Sequence, residues 1–267
     1  MRRSLLFTLL IASLLTSCTL TQDFPSAAGK TEGPPLPEAI QQQKTAWLNS
    51  LNEGSANSLE KYYWDRAGLL WGRNYFQDAR PVSTQWENLQ PGLGTLVEQR
   101  TSAVVQQDDQ HYLELGYYKF SEKDPTIYAY ATAWKAVDGN WLRELEVVQL
   151  LFEQQAVDAR SIDQAREKWV ERSNAHDHEK LVNQSYMNDA YYVNQGQHYQ
   201  GTEAISEKYR YMSQPNWKIQ LTDKAVMKVQ DDLAFELGQY ESNGVGHYLI
   251  VWEKQGNDWK VLLDFNF

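Results

Sequence analysis

At 267 residues, 42% of them hydrophobic and including 10 Trp and 16 Tyr, the chain has the composition of a folded protein and the length for two ordinary domains. Its formal charge of -10 argues against nucleic acid or an anionic membrane surface as a partner, and suits an exported protein that must stay soluble. A single cysteine excludes a disulfide framework.

The first residues read as an export signal. Arg2 and Arg3 form a positive start, Leu5 to Leu15 is an apolar run too short to span a bilayer, and small residues lead into Cys18. The run Leu15-Thr16-Ser17-Cys18 resembles the lipobox of bacterial lipoproteins. That resemblance implies a signal over residues 1–18, with Cys18 lipidated as the first residue of the mature chain. Thr19, where lipoproteins kept at the inner membrane tend to carry Asp, implies an outer-membrane anchor facing the periplasm. Residues 19–37, with Pro25, Pro34, Pro35, Pro37, Gly29 and Gly33, form a tether that holds the folded part off the membrane.

The remainder is an internal repeat, with a first domain over 38–155 and a second over 156–267. Trp47 matches Trp169 and Leu59 matches Leu181. Leu113-Glu114-Leu115-Gly116 matches Phe235-Glu236-Leu237-Gly238, all at an offset of 122. Trp134 then matches Trp252, and Gly139-Asn140-Trp141 matches Asn257-Asp258-Trp259, at an offset of 118. The change of offset places a four-residue deletion in a hairpin loop, where length differences are tolerated.

In chain order the first copy is predicted to form helices over 38–51 and 58–63, then strands near 96–106, 110–120, 126–137 and 141–150. The second is predicted to form helices over 162–174 and 178–187, with Asp177 as N-cap, a short strand over 189–193 and a helix over 203–212. Long strands over 217–230, 233–242 and 246–254 follow, and Asp258-Trp259 begins the last. Helices followed by an antiparallel meander mean an α+β fold.

This order, with Tyr186-Met187-Asn188-Asp189-Ala190-Tyr191-Tyr192-Val193-Asn194, Gly201-Thr202-Glu203-Ala204-Ile205 and Asn257-Asp258-Trp259-Lys260-Val261, resembles the SnoaL-like branch of the nuclear-transport-factor-two-like superfamily. The resemblance covers 160–267 and extends to 38–150 mainly through the repeat. It implies two tandem cone-shaped domains of cystatin-like fold, each with helices packed on a strongly curved antiparallel sheet, often with a pocket at the open end.

Candidate chemistry follows from alternation and from the aromatic residues. Leu233, Phe235 and Leu237 share one face of a strand, which turns Glu236, and by repeat Glu114, toward the outer face; the alternative is a general base inside each cone. Val261, Leu263 and Phe265 likewise turn Asp264, and by repeat Glu146, outward, where two copies packed as a pseudo-dimer would bring them to an internal interface. His176 and His178 flank Asp177 as helix-capping residues rather than metal ligands, and no metal or cofactor is expected. The candidate pocket consists of Tyr186, Asp189, Tyr191, Tyr199, Tyr209, Trp217, Tyr248 and Trp252, with Met212 beside them. In the first copy Tyr63, Trp64, Trp71, Tyr75, Trp86, Tyr128 and Trp134 correspond. Such walls suit a small apolar or aromatic ligand. The expected function is a non-catalytic binding or interaction module for a small ligand or an envelope protein, attached to the membrane through lipidated Cys18. The alternative is a SnoaL-like enzyme of isomerase, dehydratase or hydrolase type, with a carboxylate/Tyr site in the second cone.

Overall fold

The computed structural model describes residues 34–54, 59–121, 126–151 and 159–267. Cys18 and the export signal, residues 19–33 of the tether and the boundary between 155 and 156 lie outside the described residues. The first copy runs α1 (Glu38–Glu53), a 3-10 turn (Glu60–Tyr62), β1 (Tyr63–Trp71), β2 (Asn74–Gln77), α2 (Ala79–Leu93), β3 (Leu96–Asp108), β4 (His111–Phe120), β5 (Thr126–Val137) and β6 (Asn140–Leu150). The second runs α3 (Ala159–Ser173), α4 (His178–Ser185), β7 (Tyr186–Asn194), β8 (Gln197–Gln200), α5 (Gly201–Lys208), a 3-10 turn (Tyr209–Ser213), β9 (Gln220–Gln230), β10 (Leu233–Glu241), β11 (Val245–Gln255) and β12 (Asp258–Asn266).

The architecture is α+β, with two tandem cones built on six-stranded sheets ordered β2-β1-β6-β5-β4-β3 and β8-β7-β12-β11-β10-β9. The sheets are mixed rather than purely antiparallel, because β1 pairs parallel to β6 and β7 parallel to β12. In each copy the chain leaves the first hairpin, crosses on a helix and returns through a four-strand meander whose last strand lies beside the first. The elements β1, β2, α2 and β8 were not predicted. Asp65, Arg66 and Gly68 break the alternation of β1. In α2, Pro81 sits in the first turn, where its missing N–H has no intrahelical partner to lose, and Pro91 falls near the end.

Local packing repeats between the copies. The helix α1 buries Ile40, Lys44, Trp47 and Leu51 on one stripe and ends at Gly54, whose φ of 67° closes a left-handed cap. Near its end the Asn52 side chain both donates to the Leu96 carbonyl and accepts from the Leu96 N–H, each at 2.9 Å. Asn174 does the same to Ile219 at 2.9 Å. The four-residue deletion lies in the β10–β11 hairpin, where Glu241 pairs with Val245; the corresponding turn joins Phe120 to Thr126. Leu36, in the segment read as tether, is buried with Ile40, Tyr112 and Trp134 and belongs to the first cone.

The two sheets pack against each other. Leu113, Leu115, Ala129, Ala131, Leu145 and Val147 of the first join one apolar cluster with Phe235, Leu237, Leu249, Val251, Leu263 and Phe265 of the second. Polar links run along the seam. Arg73 reaches Asp189 at 2.6 Å and Glu253 at 2.5 Å, Tyr75 stacks on Tyr191 at 4.9 Å, and Gln230 donates to the Leu150 carbonyl at 2.8 Å. At Gly196, φ is 69° and a Cβ would meet the Trp64 ring of the other copy at 2.5 Å, so the β7–β8 turn requires glycine.

Because one core spans both copies, they are expected to unfold together. Leu237→Ala should cost about 2–4 kcal/mol, and urea transitions followed by Trp fluorescence and by far-UV circular dichroism should shift equally and remain coincident. Two separated transitions would show that the copies fold independently.

Candidate functional site

Four carboxyl groups lie inside the cones, and this corrects the outward orientation expected from alternation. Glu114, Glu146 and Glu236 have no exposed surface and Asp264 has 4%. The apolar side chains that alternate with them face the opposing sheet, so the apolar side of each strand is the seam between copies and the polar side is the cone interior. Alternation separates two faces but does not say which neighbour each meets, and here both are buried.

Each interior carboxylate occupies one of two repeated positions. At the first, Glu114 accepts from Thr101 at 2.6 Å, Tyr130 at 2.6 Å and the Trp134 indole at 2.9 Å, and it pairs with Lys44. Its counterpart Glu236 accepts from Arg166 at 3.0 Å, Tyr248 at 2.6 Å and Trp252 at 2.9 Å. Lys44 and Arg166 stand at matching places on α1 and α3. The Glu-Leu-Gly motif has a geometric cause. Tyr130 lies opposite Gly116 and Tyr248 opposite Gly238, and a Cβ on either glycine would meet the tyrosine ring at 2.4 or 2.1 Å. Bare glycine lets the ring lie flat and its hydroxyl reach the glutamate two residues away.

Burial pushes the Glu114 carboxyl up, but the Lys44 charge and the Lys44, Thr101 and Tyr130 hydrogen bonds outweigh it and hold the group below the usual range. In Glu236 burial wins and the pKa is raised, although Arg166 opposes it. Arg166 divides its charge among Glu236, Asp163 and Asp223.

The second position differs more between the copies. Glu146 accepts from Tyr63 at 2.8 Å, Trp86 at 3.0 Å and Tyr118 at 2.5 Å. Beside it lies the fully buried Arg143, its guanidinium 3.8 Å from the centre of the Trp47 ring, with Trp134 and Tyr63 around it. A β-bulge at the same place in both sheets sets Arg143 opposite Trp134 and Val261 opposite Trp252, so Val261 holds the place of Arg143. Among the described residues Asp264 therefore has no neighbouring cation. It accepts from Tyr186 at 2.7 Å and Tyr209 at 2.5 Å, both on Oδ2. Burial pushes its pKa up, and the two tyrosine hydrogen bonds only partly oppose this.

Asp264 also lines a cavity of about 200 Å³ bounded by Trp169, Tyr209, Tyr211, Met212, Trp217, Tyr240, Tyr248, Ile250, Ser242 and Asn266. Its origin is visible in the repeat. In the first cone the corresponding space holds Trp71, Trp86, Phe120, Tyr128 and Val148, packed ring on ring at 5.1–5.7 Å. The second copy has Asn194, Tyr209, Ser242, Gly246 and Asn266 at those places. Tyr240 swings over Gly246, where a Cβ would meet its ring at 2.4 Å. Other grooves are larger. One of about 790 Å³ beside α4 and α5 is walled by polar, mostly exposed side chains such as Glu179, Glu203 and Arg210, and no buried carboxyl reaches it.

Of the pocket residues named from sequence, Tyr209, Trp217 and Tyr248 line this cavity. Tyr186 lies behind Asp264, and Trp252 behind Glu236. Three are placed elsewhere, away from the cavity. Asp189 is exposed and paired with Arg73, Tyr191 stacks on Tyr75 at the seam, and Tyr199 bonds Gln197 at 3.0 Å. The strand β7 begins at Tyr186 rather than near Asp189, which fixes these faces. Asp177 caps α4 by accepting from the Lys180 N–H at 2.9 Å, while His178 bonds Ser213 at 2.7 Å. Among the described residues no three His, Cys, Asp or Glu side chains are placed to hold a metal.

Neither a family model nor a curated protein matches the chain. Solved structures that are similar to it each align with a little under half of it. An NTF-2-like protein of unknown function from Shewanella oneidensis is 14% identical, covering 41% of this chain and 95% of that one with a TM-score of 0.38. A ketosteroid isomerase-like protein from Erwinia carotovora atroseptica is 13% identical, covering 43% and 95% with a TM-score of 0.37. A cystatin-like domain from Nostoc punctiforme is 16% identical, covering 42% and 78% with a TM-score of 0.36.

The raised pKa of Asp264 has a defined effect on stability. A carboxyl that binds its proton more tightly when folded stabilises the protein fully below its ordinary value of 3.8, and that contribution is lost as pH rises through the folded value. The stability of Asp264→Asn relative to the parent should therefore increase with pH from about 3.8 upward. Urea unfolding of both proteins across that window measures it, and a difference that falls with rising pH would contradict the assignment.

Proposed function

We propose that the protein is an envelope lipoprotein that binds a small, largely apolar ligand in the second cone, with the first cone as its scaffold. The observation that supports this most is the contrast between the copies. The same fold is filled with Trp and Tyr rings in one and hollow in the other, and the hollow one holds an aromatic-walled cavity with a single buried carboxyl. The ring of Tyr211, 40% exposed, forms part of the wall and stacks edge-on against Trp217 at 4.9 Å, so the cavity communicates with solvent. Anchoring through Cys18 would place this cavity at the periplasmic face of the outer membrane, on the strength of the lipobox-like sequence.

A second reading, catalysis, is favoured by one arrangement. Asp264 is a carboxyl of raised pKa, held by two tyrosine hydroxyls and bordering a cavity, as general acid–base chemistry requires. Binding is the simpler reading because neither tyrosine hydroxyl is free of Asp264 to meet a substrate.

Two measurements test the proposal. In a thermal-shift screen of small ring compounds on the purified protein, a ligand at ~100 times its Kd should add ~2.7 kcal/mol, and Tyr211→Ala or Trp217→Ala should remove the shift. Binding that survives both changes would place the ligand elsewhere. Acyl labelling in cells should be lost in Cys18→Ser together with membrane retention, and an unlabelled parent chain would refute the lipid anchor.

A further inference from the structure

Charge accounting inside the cones points to the kind of ligand. Among the described residues five carboxyl groups are buried, and four have a basic side chain near them; one of these, Glu144, lies outside the two repeated positions with Lys135 at 3.7 Å. Lys44 serves Glu114, Arg166 serves Glu236, and Arg143 serves Glu146. Asp264 has none among the described residues, and Val261 stands at the position of Arg143. A buried carboxylate needs a positive partner, and an unpaired one is costly.

The first cone shows what the missing partner looks like. There the Arg143 guanidinium sits over the Trp47 ring, 3.8 Å from its centre, a cation placed against an aromatic ring near the Glu146 carboxylate. Trp169 and Asp264, the counterparts of Trp47 and Glu146, both belong to the cavity wall, and that wall contains no Lys, Arg or His. Its other large side chains include aromatic rings, with Trp169 and Tyr209 centred 6.5 Å apart and Tyr211 edge-on to Trp217. An anionic ligand would meet a carboxyl and electron-rich rings with no cation to offset them.

We propose that the second cone takes a small organic cation, an ammonium or guanidinium group on a compact apolar frame, with its charge at Asp264 and its frame against Trp169 and Trp217. This rests on reading the cavity as a ligand site. The ligand supplies from outside the charge that Arg143 supplies internally in the first cone. A cavity of about 200 Å³ has the volume of about seven water molecules, which limits the frame to a single ring or a short branched chain.

The test is calorimetric titration of the purified protein with benzylammonium and with benzyl alcohol, which has nearly the same shape and no charge. Benzylammonium should bind at least about ten-fold more tightly than benzyl alcohol. Asp264→Asn, which keeps the size of the side chain and an acceptor for both tyrosines, should abolish that preference without lowering the melting temperature. Val261→Arg should block benzylammonium by restoring the internal cation. If benzyl alcohol binds as well as benzylammonium and Asp264→Asn changes neither, the cation assignment is overturned and the cavity reading stands. If neither probe binds the parent protein at millimolar concentration while a ring compound from the neutral screen does, the cation assignment again fails alone. If nothing binds at all, both readings fail.

Discussion

Each sheet is buried on both of its faces, and most of the molecule's internal chemistry follows from that constraint. One face packs against the sheet of the other copy and is apolar. The other closes over the helices of its own copy, and it is there that Glu114, Glu146, Glu236 and Asp264 are found. A carboxylate so placed has no water to solvate it, so its partners must come from the chain. Tyr130, Tyr248, Trp134 and Trp252 serve as large side chains that fill the cone and as hydrogen-bond donors to the glutamates. Hydrogen bonds to a charged group contribute roughly 1.5–3 kcal/mol each, whereas a lone buried carboxylate would be strongly destabilising.

Duplication of the whole arrangement makes the two copies controls for each other. The position of Glu114 and Glu236 is preserved in detail, including the glycine that lets a tyrosine lie flat and the helix cation that neutralises the pair. Preservation of both sets of contacts marks this position as structural. At the other position the copies part. Arg143 becomes Val261, Trp86 becomes Tyr209, and Phe120 and Tyr128 become Ser242 and Gly246. Each change removes either bulk or charge from one cone, and together they leave Asp264 facing a cavity. The sheet of the hollow copy packs against that of the filled copy in one apolar cluster.

The carboxyl at the cavity is also one whose charge the described residues leave unmatched. Burial disfavours its charged form, two tyrosines favour it, and no cation completes the set. A site of this kind responds strongly to what enters it, since a ligand that brings a charge or a hydrogen bond changes the balance at Asp264. The seam between copies has a different character, with ion pairs at its rim and aliphatic side chains within, which join one continuous apolar core.

By itself the sequence determined the duplication, the α+β class, the long strands and the hairpin that absorbs the deletion, because these depend on local periodicity and on matching residues in order. It also determined Asp177 as a helix cap and the aromatic richness of the second cone. It did not reveal β1, β2, α2 or β8. Charges and a glycine in β1 and prolines in α2 break the local pattern, β2 and β8 are only four residues long, and tertiary contacts stabilise them regardless. Nor did it reveal which face of the sheet is inside. Alternation marked Glu236 and Asp264 as opposite to Phe235 and Leu263, which is correct, but an apolar face packed on a second sheet has the same pattern as one packed on a core. Only the tertiary structure decided that the polar face turns inward, that Asp189, Tyr191 and Tyr199 lie away from the cavity, and that Asp264 has no cation beside it among the described residues. Those facts depend on which elements meet across the chain, and one strand's sequence carries no record of its neighbours.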